Sequence, residues 1–186
     1  MSKPSHLGLP LAAGLALLVT AGLAPQIAHA QFGFSRYHSP RASATLTING
    51  KAIRIDYYAP SMHGRKIMGD LVPFGEVWCT GANWATQITT PADLRIGDIK
   101  VPKGSYSIWT VPDEKEWTLI LNKETGQFHT DYNPEADFAR TKMKVGKLGK
   151  SVETFTIDLR ADGGNRGTIS LRWETTEASV PFFVQP

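Results

Sequence analysis

Residues 42–58 read ASATLTINGKAIRIDYY, and this stretch decides the class of fold. On both sides of the central Asn49-Gly50 pair, small or apolar residues alternate with polar ones. A period of two places successive side chains on opposite faces of a half-buried β-strand. Asn-Gly between two such runs is the strongest short-range signal for a β-hairpin. The stretch therefore predicts two antiparallel strands, 42–49 and 51–58, joined by a two-residue turn.

The rest of the chain continues in the same manner. A Gly97-Asp98 turn predicts a second tight hairpin, one helical turn is expected at 65–70, and 123–134 has the composition of a loop. Further short strand patterns lie at 85–90, 94–96, 99–101, 105–111, 117–122, 139–145, 152–159, 167–174 and 180–184. Many short strands spaced by turn residues, without an amphipathic helix or a repeat, predict an all-β fold. We expect an antiparallel β-sandwich of the jelly-roll-like kind, with a barrel as the alternative.

Residues 1–30 have the features of a signal peptide. Lys3 precedes an apolar stretch, 7–24, and Ala28-His29-Ala30 fits a small-x-small cleavage site. The alternative is a membrane anchor, but the apolar run is at the short end for a span and no basic cluster follows it. We therefore predict an exported protein, periplasmic or extracellular, in which 31–186 form a single β domain with no stable membrane span after cleavage.

Charge and cysteine content narrow the range of possible functions. The formal net charge is +3, and Lys3, the only charged residue before position 31, contributes to it. Such a small and evenly spread charge argues against a nucleic-acid partner. The single cysteine, Cys79, cannot form an internal disulfide, so the fold has to be stabilised by its core even in an oxidising compartment. Oligomeric state is left open.

Between 57 and 88 the regular alternation stops. Glycines, prolines, two tryptophans, a histidine, an arginine and Cys79 crowd into a segment with no period of 2 or 3.6. A long irregular segment inside a compact domain is usually functional or disordered, and the aromatic content argues against disorder. The segment is thus the candidate site, and much of its glycine and proline content is interpreted as the architecture of an ordered crossover between strands.

The same segment carries a resemblance to a known family. The pieces that match are Asp56-Tyr57, Pro60-Ser61, Gly64-Arg65, Leu71-Val72-Pro73-Phe74-Gly75, Val77-Trp78 and Thr80-Gly81-Ala82-Asn83, with Ser39-Pro40 upstream and Val101-Pro102, Gly104-Ser105-Tyr106-Ser107, Asn122-Lys123 and Val180-Pro181-Phe182 downstream. With them the chain resembles the exported bacterial family known as domain of unknown function 2911 (DUF2911). The resemblance implies an exported, mostly β domain and no established activity. One departure is Cys79, where the family usually has a basic residue, so no cationic role is implied there.

The preferred functional interpretation is binding of a small polar ligand, or of an envelope component, at the 58–84 loop. Aromatic faces bury the apolar faces of a ligand ring, and planar polar side chains satisfy its hydroxyls or anionic groups. The candidate ligand-binding residues are Asp56, Tyr58, His63, Arg65, Trp78, Asn83 and Trp84. No cofactor and no metal are predicted. The alternative is a purely structural role, in which Trp78 and Trp84 cover the end of the sandwich. Trp109, Trp117 and Trp173 lie at core positions of strands.

Two other functions remain open. An exported hydrolase, metal-assisted or not, would use His63 with Asp56 or His129. However, the three histidines of residues 31–186, at positions 38, 63 and 129, lack any metal-binding spacing. Cys79 is interpreted as a packed, inert thiol rather than a nucleophile. The third possibility is a structural or assembly module whose motif only stabilises the fold. Convergence of Asp56, His63, Arg65 and Asn83 in a concave site, with His38 or His129 within coordination distance, would favour the hydrolase. If these side chains instead hydrogen-bond to loop backbone and leave no pocket, the motif is structural.

Overall fold

The computed structural model describes residues 39–185. The predicted signal peptide, 1–30, and His38 lie outside the described residues. Within them there are nine strands and one turn of 3-10 helix, Pro134–Ala136. The strands are β1 (Arg41–Ile48), β2 (Lys51–Tyr58), β3 (Thr86–Thr90), β4 (Leu94–Ile96), β5 (Ile99–Val101), β6 (Gly104–Val111), β7 (Glu116–Asn122), β8 (Asp137–Gly163) and β9 (Arg166–Val184). No helix in this part of the chain is long and apolar enough to cross a bilayer.

The nine strands of the described region form one antiparallel sheet in the order β1-β2-β3-β6-β7-β8-β9-β4-β5. The sheet is open, so the all-β, sandwich-like class is confirmed and the barrel alternative is wrong. The two layers of the sandwich-like fold are connected through the long β8–β9 hairpin. β8 pairs with β7 up to Lys144 and with β9 from Lys144 onward, and the pairing with β9 continues through the second half of β8 after register irregularities between Lys147 and Thr156. That second half also meets the start of the crossover, where Phe155 N donates to Pro60 O at 2.8 Å.

The main core lies on the inner face of this folded sheet. Ile53, Ile55 and Tyr57 of β2 are at most 7% exposed and belong to one apolar cluster with residues of every other strand. β1 contributes Ile48 to this cluster, and its alternate residues Ala42, Ala44 and Leu46 pack against it. Trp117 and Trp173 are fully buried there, as predicted. Trp109 is also buried, but it belongs to a second, smaller cluster with Cys79, Ala85 and Ile120. A smaller core therefore lies on the outer face, where loops cover the sheet.

Both predicted hairpins are confirmed. Ile48 pairs with Lys51, and Asn49 and Gly50 have φ of 51° and 74°, the left-handed pair that a type I′ turn requires. β4 and β5 are joined at Gly97, whose φ is 55°. The helical turn expected at 65–70 is wrong: the segment forms successive turns, because Gly64 just before it and Gly69 within it have φ of 73° and 76° and interrupt any helix.

The predicted strand divisions in the last third are also wrong. Strands expected at 139–145 and 152–159 form the single strand β8, and those at 167–174 and 180–184 form the single strand β9. In β9 the buried positions change from odd numbers (167–173) to even numbers (178–184) across a register irregularity, and in β8 a stretch of exposed and half-buried residues, 144–154, separates the two buried parts. A local period therefore marks the regular pieces of these strands but not their continuity.

Candidate functional site

A row of polar residues crosses the outer face of the sheet. In register, each member is the direct cross-strand partner of the next, and such partners share one face. From the exposed edge inward the row is Ser43, Asp56, Gln87, Ser107, Asn122 and Asp137. Ser43 and Asp56 are exposed, Gln87 is half-buried, and Ser107 and Asn122 are fully buried. The same row thus forms an open floor at one end and a buried polar network at the other.

The buried end of the row anchors the 123–136 loop. Asn122 Nδ2 donates to Asn133 O at 2.7 Å and to Asp137 Oδ1 at 2.9 Å, while its Oδ1 accepts from Glu124 N at 2.9 Å. Ser107 Oγ accepts from Gln127 Nε2 at 3.1 Å. These bonds satisfy buried polar atoms that would otherwise be costly. They fix the loop above the sheet as a wall beside the open floor.

The open end of the row forms the floor of a cleft of about 870 Å³. Its volume is in the range of small-molecule sites. The cleft is lined by Arg41, Ala42, Ser43, Arg54, Asp56, Tyr57, Tyr58, Trp84, Ala85, Gln87 and Gly126. β1 and β2 supply the floor, the start of β3 supplies the inner end, and Trp84 with Gly126 supplies the wall. Three predicted site residues, Asp56, Tyr58 and Trp84, therefore meet in one concave site.

The charges in the cleft are unequal. Arg54 holds Asp56 in a two-pronged ion pair, with Arg54 Nε at 2.8 Å from Asp56 Oδ2 and Nη2 at 2.6 Å from Oδ1. This hydrogen-bonded carboxylate raises the pKa of Arg54. The guanidinium of Arg41 instead lies over the Tyr58 ring, 5.6 Å from its centre. The lining thus contains one carboxylate and two guanidinium groups, of which one is neutralised.

An aromatic pair stands at the rim of the cleft. Trp84 is 48% exposed and meets the ring of Phe128 edge to face, with 5.6 Å between centres. The two residues also form an isolated antiparallel bridge, and Ala85 N donates to Gln127 O at 3.0 Å. A large indole that is held from behind by another ring and left half-exposed is the kind of surface on which a flat ligand face packs.

A smaller cavity of about 330 Å³ is lined in part by residues 79 and 81–83, which directly precede Trp84. It is lined by Arg65, Trp78, Cys79, Asn83 and His129, together with Ser39, Pro60, Ser61, Leu71, Val72, Gly81, Ala82 and Trp173. Of the predicted site residues, it contains Arg65, Trp78 and Asn83. His63 lines neither the cleft nor this cavity; it is exposed, and its backbone N–H donates to Glu153 Oε1.

Local contacts indicate architectural roles for two of these residues. Arg65 Nε donates to Met62 O at 2.8 Å, and its Nη2 donates to Ser61 O at 2.7 Å, so the guanidinium braces its own loop. Trp78 stacks on Trp173 with 5.9 Å between ring centres and 19° between planes. It also packs against Trp117 and Phe155 at the end of the main core.

The turn 79–84, which contributes lining residues to both cavities, is held in an uncommon conformation. Thr80, fully buried, has φ of 56°, and Asn83 has φ of 60°. A left-handed β-branched residue is strained and persists only where its surroundings over-determine it. Thr80 O accepts from Thr86 Oγ1 at 2.7 Å, and Thr80 Oγ1 lies 3.1 Å from Thr110 Oγ1. This fixed turn presents Trp84 to the cleft and Asn83 to the smaller cavity.

The residues considered for catalysis lie apart. Asp56 lines the cleft, His129 lines the smaller cavity and His63 lies outside both. Burial raises the pKa of the Cys79 thiol to about 12, which keeps it protonated and weakly nucleophilic. Burial, and then the hydrogen bond to Asp137, raises the pKa of Tyr132 to about 12. Among residues 39–185 no group of three or more His, Cys, Asp or Glu side chains is placed to hold a metal ion.

Arg41, Ser43 and Gln87 are lining residues that sequence reasoning missed. Two of them had a usable signal. A two-residue turn at Asn49-Gly50 fixes the register of the hairpin, which places Arg41 opposite Tyr58 and Ser43 opposite Asp56. Gln87 had no such signal, because its position beside Asp56 depends on the pairing of β2 with β3 across the irregular crossover.

Comparison with known proteins gives a family and no activity. The sequence model of the family described as "Protein of unknown function (DUF2911)" matches residues 39–182. No curated protein and no solved structure matches the chain.

Proposed function

The chain belongs to the DUF2911 family of proteins of unknown function, and we propose from its own cleft that it binds a small, hydroxyl-bearing polar ligand there. The carrying observation is the half-exposed Trp84 ring standing beside a polar floor of Ser43, Asp56 and Gln87 in a cleft of about 870 Å³. An aromatic face next to planar amide, carboxylate and guanidinium groups is the combination that sugars and similar ligands require.

The proposal assigns a part to each side of the cleft. The apolar face of the ligand packs on Trp84, whose orientation is maintained by Phe128. The ligand hydroxyls bond to the row on the floor, where the Asp56 carboxylate accepts and the Gln87 amide both donates and accepts. Because the floor belongs to paired strands and the wall is anchored by Asn122 and Ser107, the site needs little ordering on binding, which favours affinity.

The proposed setting is outside the cytoplasm. The support is the signal-peptide pattern of residues 1–30. A saccharide component of the cell envelope is therefore a ligand of the proposed kind that the protein would meet after export. Ligand binding is preferred to hydrolysis because Asp56, His63 and His129 do not share a cavity.

The test is a titration of purified 31–186 with an array of neutral and acidic oligosaccharides that includes trigalacturonate and its methyl ester. Binding is measured by calorimetry and by amide shifts in NMR spectra. We expect at least one member to bind and to shift the amides of the cleft. Trp84→Ala should weaken that binding about ten-fold or more, because a stacked aromatic anchor carries much of the energy of such a site.

Phe74→Ala is the matched control, since Phe74 is another partly exposed aromatic residue, 37% exposed, that does not line the cleft. The Phe74→Ala variant should bind the same oligosaccharide with the affinity of the parent protein. The proposal is overturned if no member of the array binds, or if Trp84→Ala binds as tightly as the parent protein.

A further inference from the structure

Arg41 is a cation of the cleft that no carboxylate side chain of the protein neutralises. Among residues 39–185, the ion pairs within 4.0 Å do not include Arg41. Residues 1–38 contain no Asp or Glu, so the remainder of the chain before the cleft supplies no partner either. The recorded contact of the guanidinium is with the Tyr58 ring, 5.6 Å away.

The only acidic residue of the cleft lining is already paired. Asp56 receives three short contacts from the Arg54 guanidinium, at 2.6, 2.8 and 3.0 Å. Arg41 and Arg54 together outnumber it, so the lining carries one surplus positive charge. A cleft walled by protein retains such a field better than a flat surface does, because part of the screening water is excluded.

We infer that the cleft is selective for an acidic sugar, whose carboxylate binds Arg41 while its ring packs on Trp84; this rests on the proposed function. The planar guanidinium fork matches a carboxylate geometrically and stays charged at any physiological pH. The Arg41 guanidinium lies over the Tyr58 ring at the end of the floor, two positions along β2 from Asp56 and its partner Arg54. An anion placed at Arg41 completes the charge balance of the lining.

The test compares each acidic oligosaccharide with its own methyl ester, which keeps the ring and loses the charge. We expect the acid to bind at least about ten-fold tighter than the ester, because a hydrogen bond between two charged groups contributes more to binding than one to a neutral group. Arg41→Gln should remove that advantage and leave the affinity for the ester within about two-fold. Asp56→Asn should tighten binding of the acid, because it removes the like charge and releases Arg54. Raising the salt concentration should weaken the binding of the acid and leave the binding of the ester unchanged.

The matched control is Arg95→Gln. Arg95 is likewise an exposed strand arginine over an aromatic ring, 4.4 Å from the centre of Phe183, but it does not line the cleft. Its substitution should change neither affinity. Equal binding of acid and ester, or an acid preference that survives in Arg41→Gln, overturns the inference while the proposed function stands. If only neutral members of the array bind, the inference is overturned and the proposed function stands. If no member binds, the proposed function itself is overturned.

Discussion

At the scale of single residues, the chemistry of Cys79 is decided by its packing. The thiol is 4% exposed, beside Trp109 and Ala85 in the small outer core. Burial disfavours the thiolate and raises the pKa from its ordinary value of 9.0 to about 12. The residue that stands out most in the sequence is therefore a small packed hydrophobe, and its titration becomes a property of folding rather than of catalysis.

Cys79 should make the protein less stable in alkali. Below the ordinary pKa both states keep the proton and the thiol contributes nothing. Above it the unfolded chain loses the proton while the folded protein retains it up to about pH 12, so the free energy of unfolding falls as pH rises. Between about pH 8 and about pH 10 we expect this contribution to be about 1 kcal/mol. Urea unfolding at both pH values measures it.

Cys79→Ala is the comparison for that measurement. The variant should show a smaller fall in unfolding free energy between the two pH values, whatever its stability at the lower one. Tyr132, whose pKa is also raised to about 12, is present in both proteins, so its effect cancels in the difference. An equal fall in both proteins would show that the thiol titrates normally.

At the scale of elements, the turn 79–84 is the part on which both cavities depend. It has room for no side chain at Gly81, where an added Cβ would lie 2.9 Å from Tyr58 O and 3.1 Å from Thr86 Oγ1. The same turn contains the left-handed Thr80, fixed by its bonds to Thr86 and Thr110. Backbone contact with β2 thus determines where Trp84 stands relative to the floor of the cleft.

Gly81→Ala should lower the free energy of unfolding by about 1–3 kcal/mol, the usual cost of overpacking a well-packed site. The obstructing atoms are a backbone carbonyl and a hydrogen-bonded hydroxyl, and neither moves aside without loss. Gly146→Ala on β8 is the matched control, because nothing lies within 4 Å of its added Cβ. It should stay within about 0.5 kcal/mol of the parent protein. Thermal and urea unfolding measure both, and similar losses in the two variants would contradict the close approach.

The elements also show how far the sequence predicts the site. The Asn49-Gly50 turn fixes its own register, so the pairing of Ser43 with Asp56 follows from local sequence. The wall does not follow: Trp84 meets Phe128 only because Asn122 and Ser107 anchor the 123–136 loop over the sheet. Arg65 and Trp78 resembled ligand groups in the sequence, but one braces carbonyls and the other fills the core end, and only tertiary contacts distinguish these roles.

At the scale of the whole molecule, the alternating pattern predicted an all-β sandwich because the period of a strand is a local property of the sequence. The packing of the layers, in contrast, depends on contacts between residues far apart in the chain. The second half of β8 pairs with β9 on one edge, and its other edge meets residues that precede it by about a hundred positions. Ser61 forms a bridge with Thr154, and Met62 N donates to Glu153 O at 2.9 Å. The crossover is therefore part of the frame as well as a neighbour of the cleft.

The Tyr57 hydroxyl also connects β2 to the second half of β8, since it accepts a hydrogen bond from Ile157 N at 3.1 Å. Tyr57→Phe leaves that buried N–H unpaired, and we expect it to cost about 1–3 kcal/mol of unfolding free energy. Tyr106→Phe is the control at equal burial, with the two rings 7% and 8% exposed. The Tyr106 hydroxyl donates only to Pro102 O, four positions away in an exposed turn, where water can replace it. Urea unfolding should therefore show the larger loss for Tyr57→Phe, and an equal loss would mean that the two layers are not joined through this bond.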